Sequence, residues 1–270
     1  MTATLWKILG LLAGGYVALV ALMALGQTST LFPRWAVAPA PPLPPAAETL
    51  EIARPGGATL HGLRLRGRDP DAPPVIGFPG NAWNAADMAL FLHRHLPDHD
   101  IIAFHFRGYA PSTGRPSAAA LEADALAIHD HLAAEGLPPA VAVGFSIGTG
   151  PAARLAAERP VAGAILVTPF ESLTELARGH YPWAPVRLLL RHRMEPAAAL
   201  AGGPAPVALI AAARDGIVPP ARTEALRRAL ADTTPGVVFD RTLSAGHNDL
   251  YGHPAFGDSL RAAMAALRAP

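Results

Sequence analysis

Cysteine is absent from the 270 residues. That removes disulfides, thiolate nucleophiles, Fe–S clusters and Cys-ligated zinc together, and it leaves the redox compartment open. Lysine is nearly absent too: Lys7 is the only one, and the remaining strong bases are arginines. Any folded part beyond the first segment therefore has no lysine to serve as a base or form a Schiff base. A covalent mechanism is narrowed to Ser, Thr, Asp or Glu. Charged residues make up only 16% of the chain, and a net charge of +1 supplies no field for gathering nucleic acid. Hydrophobic residues, at 51%, are ample for the core of one domain.

Ile8 to Leu25 carries no charge at all. At helical rise such a stretch spans ~27 Å, close to the ~30 Å of a bilayer's hydrocarbon. It is apolar on every face and stands just before the proline-rich Pro39–Pro45, an odd place for a buried helix of a soluble domain. Residues 1–27 are read as a transmembrane segment, either a signal anchor or a signal peptide cleavable at Ala24-Leu25-Gly26. The length favours the anchor. With Lys7 before the segment and Arg34 the first charge after it, the globular part is expected on the extracytoplasmic side. Residues 28–47 then read as a semi-rigid proline-rich linker outside the core, so a chain starting near Glu48 should fold by itself.

From residue 48 to 270, strand-like and helix-like patterns alternate. Strands are expected at 50–52, 60–65, 75–78, 101–106, 140–145, 161–167, 207–211 and 237–243. Between them lie helical stretches, one of them capped by Ser117, with Leu121, Ala125, Ile128 and Leu132 on one face. Such alternation implies an α/β fold with a mostly parallel sheet covered on both sides.

Gly144-Phe145-Ser146-Ile147-Gly148 falls between one of these strands and a helix. A G-x-S-x-G turn there must be sharp enough to hold the serine in a strained conformation with its hydroxyl exposed, and the flanking glycines leave room for it. The Ile147 N–H, at the helix start, faces the place where an oxyanion would form. Without a partner base the same stretch would be only a packed turn. A base and an acid stand where this geometry needs them, each after a later strand: Asp215 in Arg214-Asp215-Gly216, and His247 in Gly246-His247-Asn248. Asn81, after Pro79-Gly80, is the candidate second oxyanion donor, and it could also cap the helix that follows. His93, His95 and His99 do not share a helix face, which speaks against a metal site, and His105 reads as a core or loop residue.

Several stretches between roughly residues 72 and 252 together resemble the bud-emergence type of α/β-hydrolase, a group that includes membrane-anchored abhydrolase-domain proteins. They are Phe78–Ala82, Phe106–Tyr109, Ser112–Ser117, Gly144–Gly148, Tyr181-Pro182-Trp183, Asp215–Pro219 and Gly246–Asp249. The chain departs from the family at Pro79, where a histidine is common before the glycine. The resemblance implies an α/β-hydrolase fold with a short cap at about 170–203. It also implies a Ser146–His247–Asp215 triad that cleaves an ester or thioester of a small-molecule or lipid-like acyl substrate. It calls for no cofactor and no metal. An aminopeptidase-type serine peptidase would use the same triad, with Glu171, Glu175 or Glu195 available to hold an amine. A non-catalytic scaffold is the remaining reading.

Overall fold

The computed structural model describes residues 2–268. Eight strands form one sheet: β1 (Glu48–Arg54), β2 (Ala58–Leu65), β3 (Val75–Phe78), β4 (Ile101–Phe104), β5 (Val141–Phe145), β6 (Gly163–Val167), β7 (Val207–Ala212) and β8 (Val237–Leu243). Their order across the sheet is β1-β2-β4-β3-β5-β6-β7-β8. Only β2 runs against the rest. The strands start and stop close to where the apolar runs do, and β5 shows why. Every residue from Val141 to Phe145 is buried, as a central parallel strand requires.

Both faces of the sheet are covered. Val75, Ile101, Val141, Val143 and Ile165 pack under α2 (Ala85–His95) and α9 (Phe256–Ala266). Ile76, Phe78, Ile102 and Leu166 point the other way, against α3 (Ala118–Ala134) and α4 (Thr149–Glu158). This is the two-residue alternation of a pleated strand, read here as two cores back to back. Ser117 caps α3 by accepting the Ala120 N–H. Asn84, not Asn81, caps α2 through the Ala86 N–H. The cap insertion between β6 and β7 carries α5 (Leu173–His180), α6 (Val186–Leu189) and α7 (Pro196–Leu200). Helix α8 (Pro220–Ala229) joins β7 to β8.

The amino-terminal segment differs from its sequence reading. Helix α1 runs from Thr2 to Leu31, past the expected end at residue 27. Residues 3–19 are all exposed, whereas Gln27 is buried and Phe32 is only 2% exposed within the α3/α4 core. Gln27 ties the helix to the cap, donating to the Leu189 carbonyl and accepting from the Arg191 N–H. Thr28 meets His192 at 2.7 Å. The start of the expected linker is thus part of the folded domain. The apolar run ends at Leu25, and the polar Gln27 and Thr28 that follow it in the same helix are the residues that tie it to the cap.

Candidate active site

Ser146 follows β5 with φ +51°, one of two non-glycine residues in the left-handed region among the described residues. L-residues pay roughly 1–2 kcal/mol to sit there, so the surroundings must hold it. They do so by closeness. A Cβ at Gly144 would strike the Gly148 carbonyl, and one at Gly148 would strike the carbonyls of Phe78 and Pro79. The turn is therefore clamped between β5, the start of α4 and the end of β3. Thr149 adds a hydrogen bond from its hydroxyl to the Ser146 carbonyl at 2.6 Å. The Ser146 side chain is partly solvent-exposed, and among the described residues its hydroxyl makes no hydrogen bond.

The loops after β7 and β8 bring Asp215 and His247 together. His247 Nδ1 lies 2.7 Å from Asp215 Oδ2, and both residues are buried. A carboxylate oxygen accepts, so Nδ1 is the donor in this contact and Nε2 is directed away from the acid. Asp215 Oδ1 accepts the N–H groups of Ile217 (2.9 Å) and Val218 (2.7 Å), which fixes the carboxylate. The two loops are tied at their roots: Ala213 N–H donates to the Leu243 carbonyl and Arg214 N–H to that of Ala245.

Asn81 lies in the loop after β3. A Cβ built on the preceding Gly80 would stand 3.9 Å from Ser146 Cβ, so this loop runs beside the serine. Among the described residues the Asn81 N–H makes no hydrogen bond, while its carbonyl accepts from Tyr109 (2.9 Å) and its side chain donates to the Leu31 carbonyl (3.3 Å). Ile147 is in the first turn after β5, where a backbone N–H has no earlier carbonyl within the turn.

Other motif residues serve the frame. Arg107 and Arg54 both bind Asp124 of α3, and Ser112 joins the His61 N–H to the His105 carbonyl. Burial, with His61 nearby, lowers the His105 imidazole to about 4, which suits a neutral core residue. Three features were not visible in the sequence. Thr168, at the end of β6, is also left-handed, at φ +49°. Trp83 and Tyr251 stack with ring centroids 5.1 Å apart, and both lie against Phe145, immediately before the serine. Burial drives the Tyr251 phenol up to about 12, so it stays neutral.

The acids of the cap are engaged. Glu171 pairs with Arg222, Glu175 with Arg178 and Arg187, and Glu195 accepts from the Thr174 hydroxyl. His180 of the cap reaches the Ile217 carbonyl at 2.8 Å, linking α5 to the Asp215 loop.

Residues 75–189 match the model of the α/β-hydrolase fold family. An uncharacterized protein of Mycobacterium tuberculosis is 35% identical over 250 residues, covering 86% of this chain and 87% of that one. A lysophosphatidylserine lipase of Gallus gallus is 32% identical over 117 residues, covering 40% of this chain and 31% of its own. Among solved structures, a Pyrococcus furiosus esterase superposes with TM-score 0.63 at 17% identity over 84% of this chain and 98% of that one. A bacterial membrane phospholipase A does so with TM-score 0.62 at 16% identity over the whole of both chains. At such identities the structural likeness speaks for the fold alone. The chain belongs to the α/β-hydrolase family.

Proposed function

We propose that this chain is a serine hydrolase that cleaves an ester or thioester of a lipid-like or small acyl substrate. The observation that carries the reading is the 2.7 Å contact between His247 Nδ1 and Asp215 Oδ2, on loops that follow the strands beyond left-handed Ser146. In this reading Ser146 Oγ attacks the acyl carbon while its proton passes to His247 Nε2. Asp215 holds the imidazole in the required tautomer and stabilises the imidazolium. The Ile147 and Asn81 N–H groups bind the oxyanion, the alcohol or thiol leaves with the proton, and water hydrolyses the acyl-enzyme by the same route.

Relatives named as a lysophosphatidylserine lipase and a membrane phospholipase A favour a lipid-like substrate over a peptide. Of the cap acids, Glu175 is held through both oxygens by Arg178 and Arg187, whereas Glu171 meets Arg222 through Oε1 alone and its buried Oε2 has no partner among the described residues. Helix α1, an apolar candidate span over Ala3–Leu31, serves in this reading as a single-pass anchor with the hydrolase domain on the extracytoplasmic side. Labelling with a fluorophosphonate tests the assignment. Wild type should label and Ser146→Ala should not, whereas equal labelling of the two would overturn it.

A further inference from the structure

Helix α1 is longer than a bilayer needs. The candidate span covers 29 residues, Ala3–Leu31, while ~20 suffice to cross the hydrocarbon. Every twenty-residue window that fits within Ala3–Leu31 contains Tyr16. The Tyr16 hydroxyl donates to the Trp183 carbonyl of the cap at 2.9 Å, and the two rings meet edge to face. If α1 spans a membrane, as the proposed function holds, then the tip of the cap lies at acyl-chain depth wherever the span is placed.

The tip is built for such surroundings. Of the five residues Tyr181-Pro182-Trp183-Ala184-Pro185, two are prolines with no N–H. The Tyr181 N–H donates to the Ala177 carbonyl, the Ala184 N–H to the Tyr181 carbonyl, and the Trp183 carbonyl is taken by Tyr16. Among the described residues the Trp183 N–H and the Pro182 carbonyl are the backbone groups of the tip's middle left without a partner, while the rest meet the condition for irregular chain at membrane depth. The Trp183 side chain is 44% exposed and faces outward. Further along, the cap rises beside the helix. Arg191 donates to the Ala24 carbonyl, eight positions and ~12 Å above Tyr16. Among the described residues Arg191 pairs with no carboxylate, and a span that ends near Ala24 sets it among anionic headgroups.

Between α1 and the cap runs an apolar groove of about 160 Å³. Val20 and Met23 line it from the helix, Ala184 and Leu189 from the cap, and Leu31 lines it as well. The Leu31 carbonyl accepts from Asn81, so one lining residue of the groove touches the loop that runs beside Ser146. We propose that the cap is inserted in one leaflet and that this groove takes a single acyl chain of a bilayer phospholipid, drawn sideways from that leaflet towards Ser146. The groove is the acyl subsite of the reaction proposed above and rests on that reading.

Two measurements on the full chain in phospholipid vesicles decide it. The chain has no cysteine, so Trp183→Cys and, as a reference on α1, Val17→Cys can each carry a single nitroxide. Both labels should be accessible to oxygen and shielded from an aqueous nickel chelate. Trp183 in water with Val17 in lipid overturns the inserted cap. A Trp183 label shielded from both reagents overturns it as well, by showing that a second protein chain covers the tip. Val17 in water instead overturns the membrane reading beneath it. Second, Ala184→Trp and, from the helix side, Val20→Trp should each lower kcat/KM for a laurate ester relative to a butyrate ester by on the order of tenfold. An unchanged ratio in both variants overturns the acyl groove. Hydrolysis that persists in Ser146→Ala would instead remove the serine reading itself.

Discussion

The side chain of Asn81 donates to the carbonyl of Leu31, fifty positions earlier and at the end of the apolar helix. The anchor candidate and the loop that carries Asn81 are therefore joined, and Phe32, the next residue, fills part of the core. A chain starting at Glu48 should consequently unfold at lower temperature and turn over even short esters more slowly than the full chain. Phe32→Ala should reproduce the stability loss, at about 3–5 kcal/mol in denaturant titration. A truncated chain with unaltered melting temperature and turnover would show the contact to be idle.

Ser146 pays for its conformation, so replacing it should separate stability from activity. Ser146→Gly is expected to raise stability by about 1 kcal/mol, because glycine accepts φ +51° without strain. The same variant should lose on the order of 10³-fold or more in kcat. A Ser146→Gly protein that is less stable than wild type would mean the turn is not strained.

Asp215→Asn keeps the size of the side chain but favours the wrong imidazole tautomer, a change that costs about 10⁴-fold in kcat in a serine protease with the same three residue types. The variant should fold, lose most turnover and show residual esterase activity that rises with pH. Near-normal turnover in Asp215→Asn, with Asp249→Asn inactive, would move the acid to the other side of His247.

Two groups outside the site, half-buried Glu122 and buried His105, set opposite pH slopes on stability. Burial raises Glu122 to about 7 from its usual 4.5. The folded state then binds the extra proton between those values, and stability falls as pH rises through that window. His105, lowered by burial to about 4 from 6.5, works the other way: its contribution is complete above 6.5 and is lost as pH falls towards 4. Glu122→Gln should therefore stabilise the protein above pH 7 and make no difference below pH 4.5, as read by denaturant unfolding. A benefit that did not depend on pH would point to packing rather than ionisation.

Local spacing made much of the site legible. Gly144 and Gly148 frame Ser146 because the backbones of β3 and α4 leave no room for a Cβ, a requirement that shows directly in the residue pattern. Asp215 and His247 could be read from their places after apolar strands. Gly216 has open space around it, and the turn is held by Asp215 itself accepting from Ile217 and Val218. What stayed hidden depends on contacts far apart in sequence. Nothing near Phe32 announces that it belongs under α3 and α4, and nothing near Trp83 announces Tyr251. Asn81 and Asn84 are equally good caps on paper. The path of the chain gives Asn84 the helix and sends Asn81 to Leu31.

The two outer strands of the sheet have a consequence for how the molecule behaves away from lipid. Exposed positions on β1 include Glu51, and on β8 they include Asp240 and Arg241, with Asp240 held by Arg227. A neighbouring sheet that tried to pair along either margin would have to strip water from these charges, so strand-to-strand growth is opposed at both ends. Clumping on removal of detergent should then start from the bare length of α1 and yield helix-mediated assemblies that redisperse, without the cross-strand signature of amyloid.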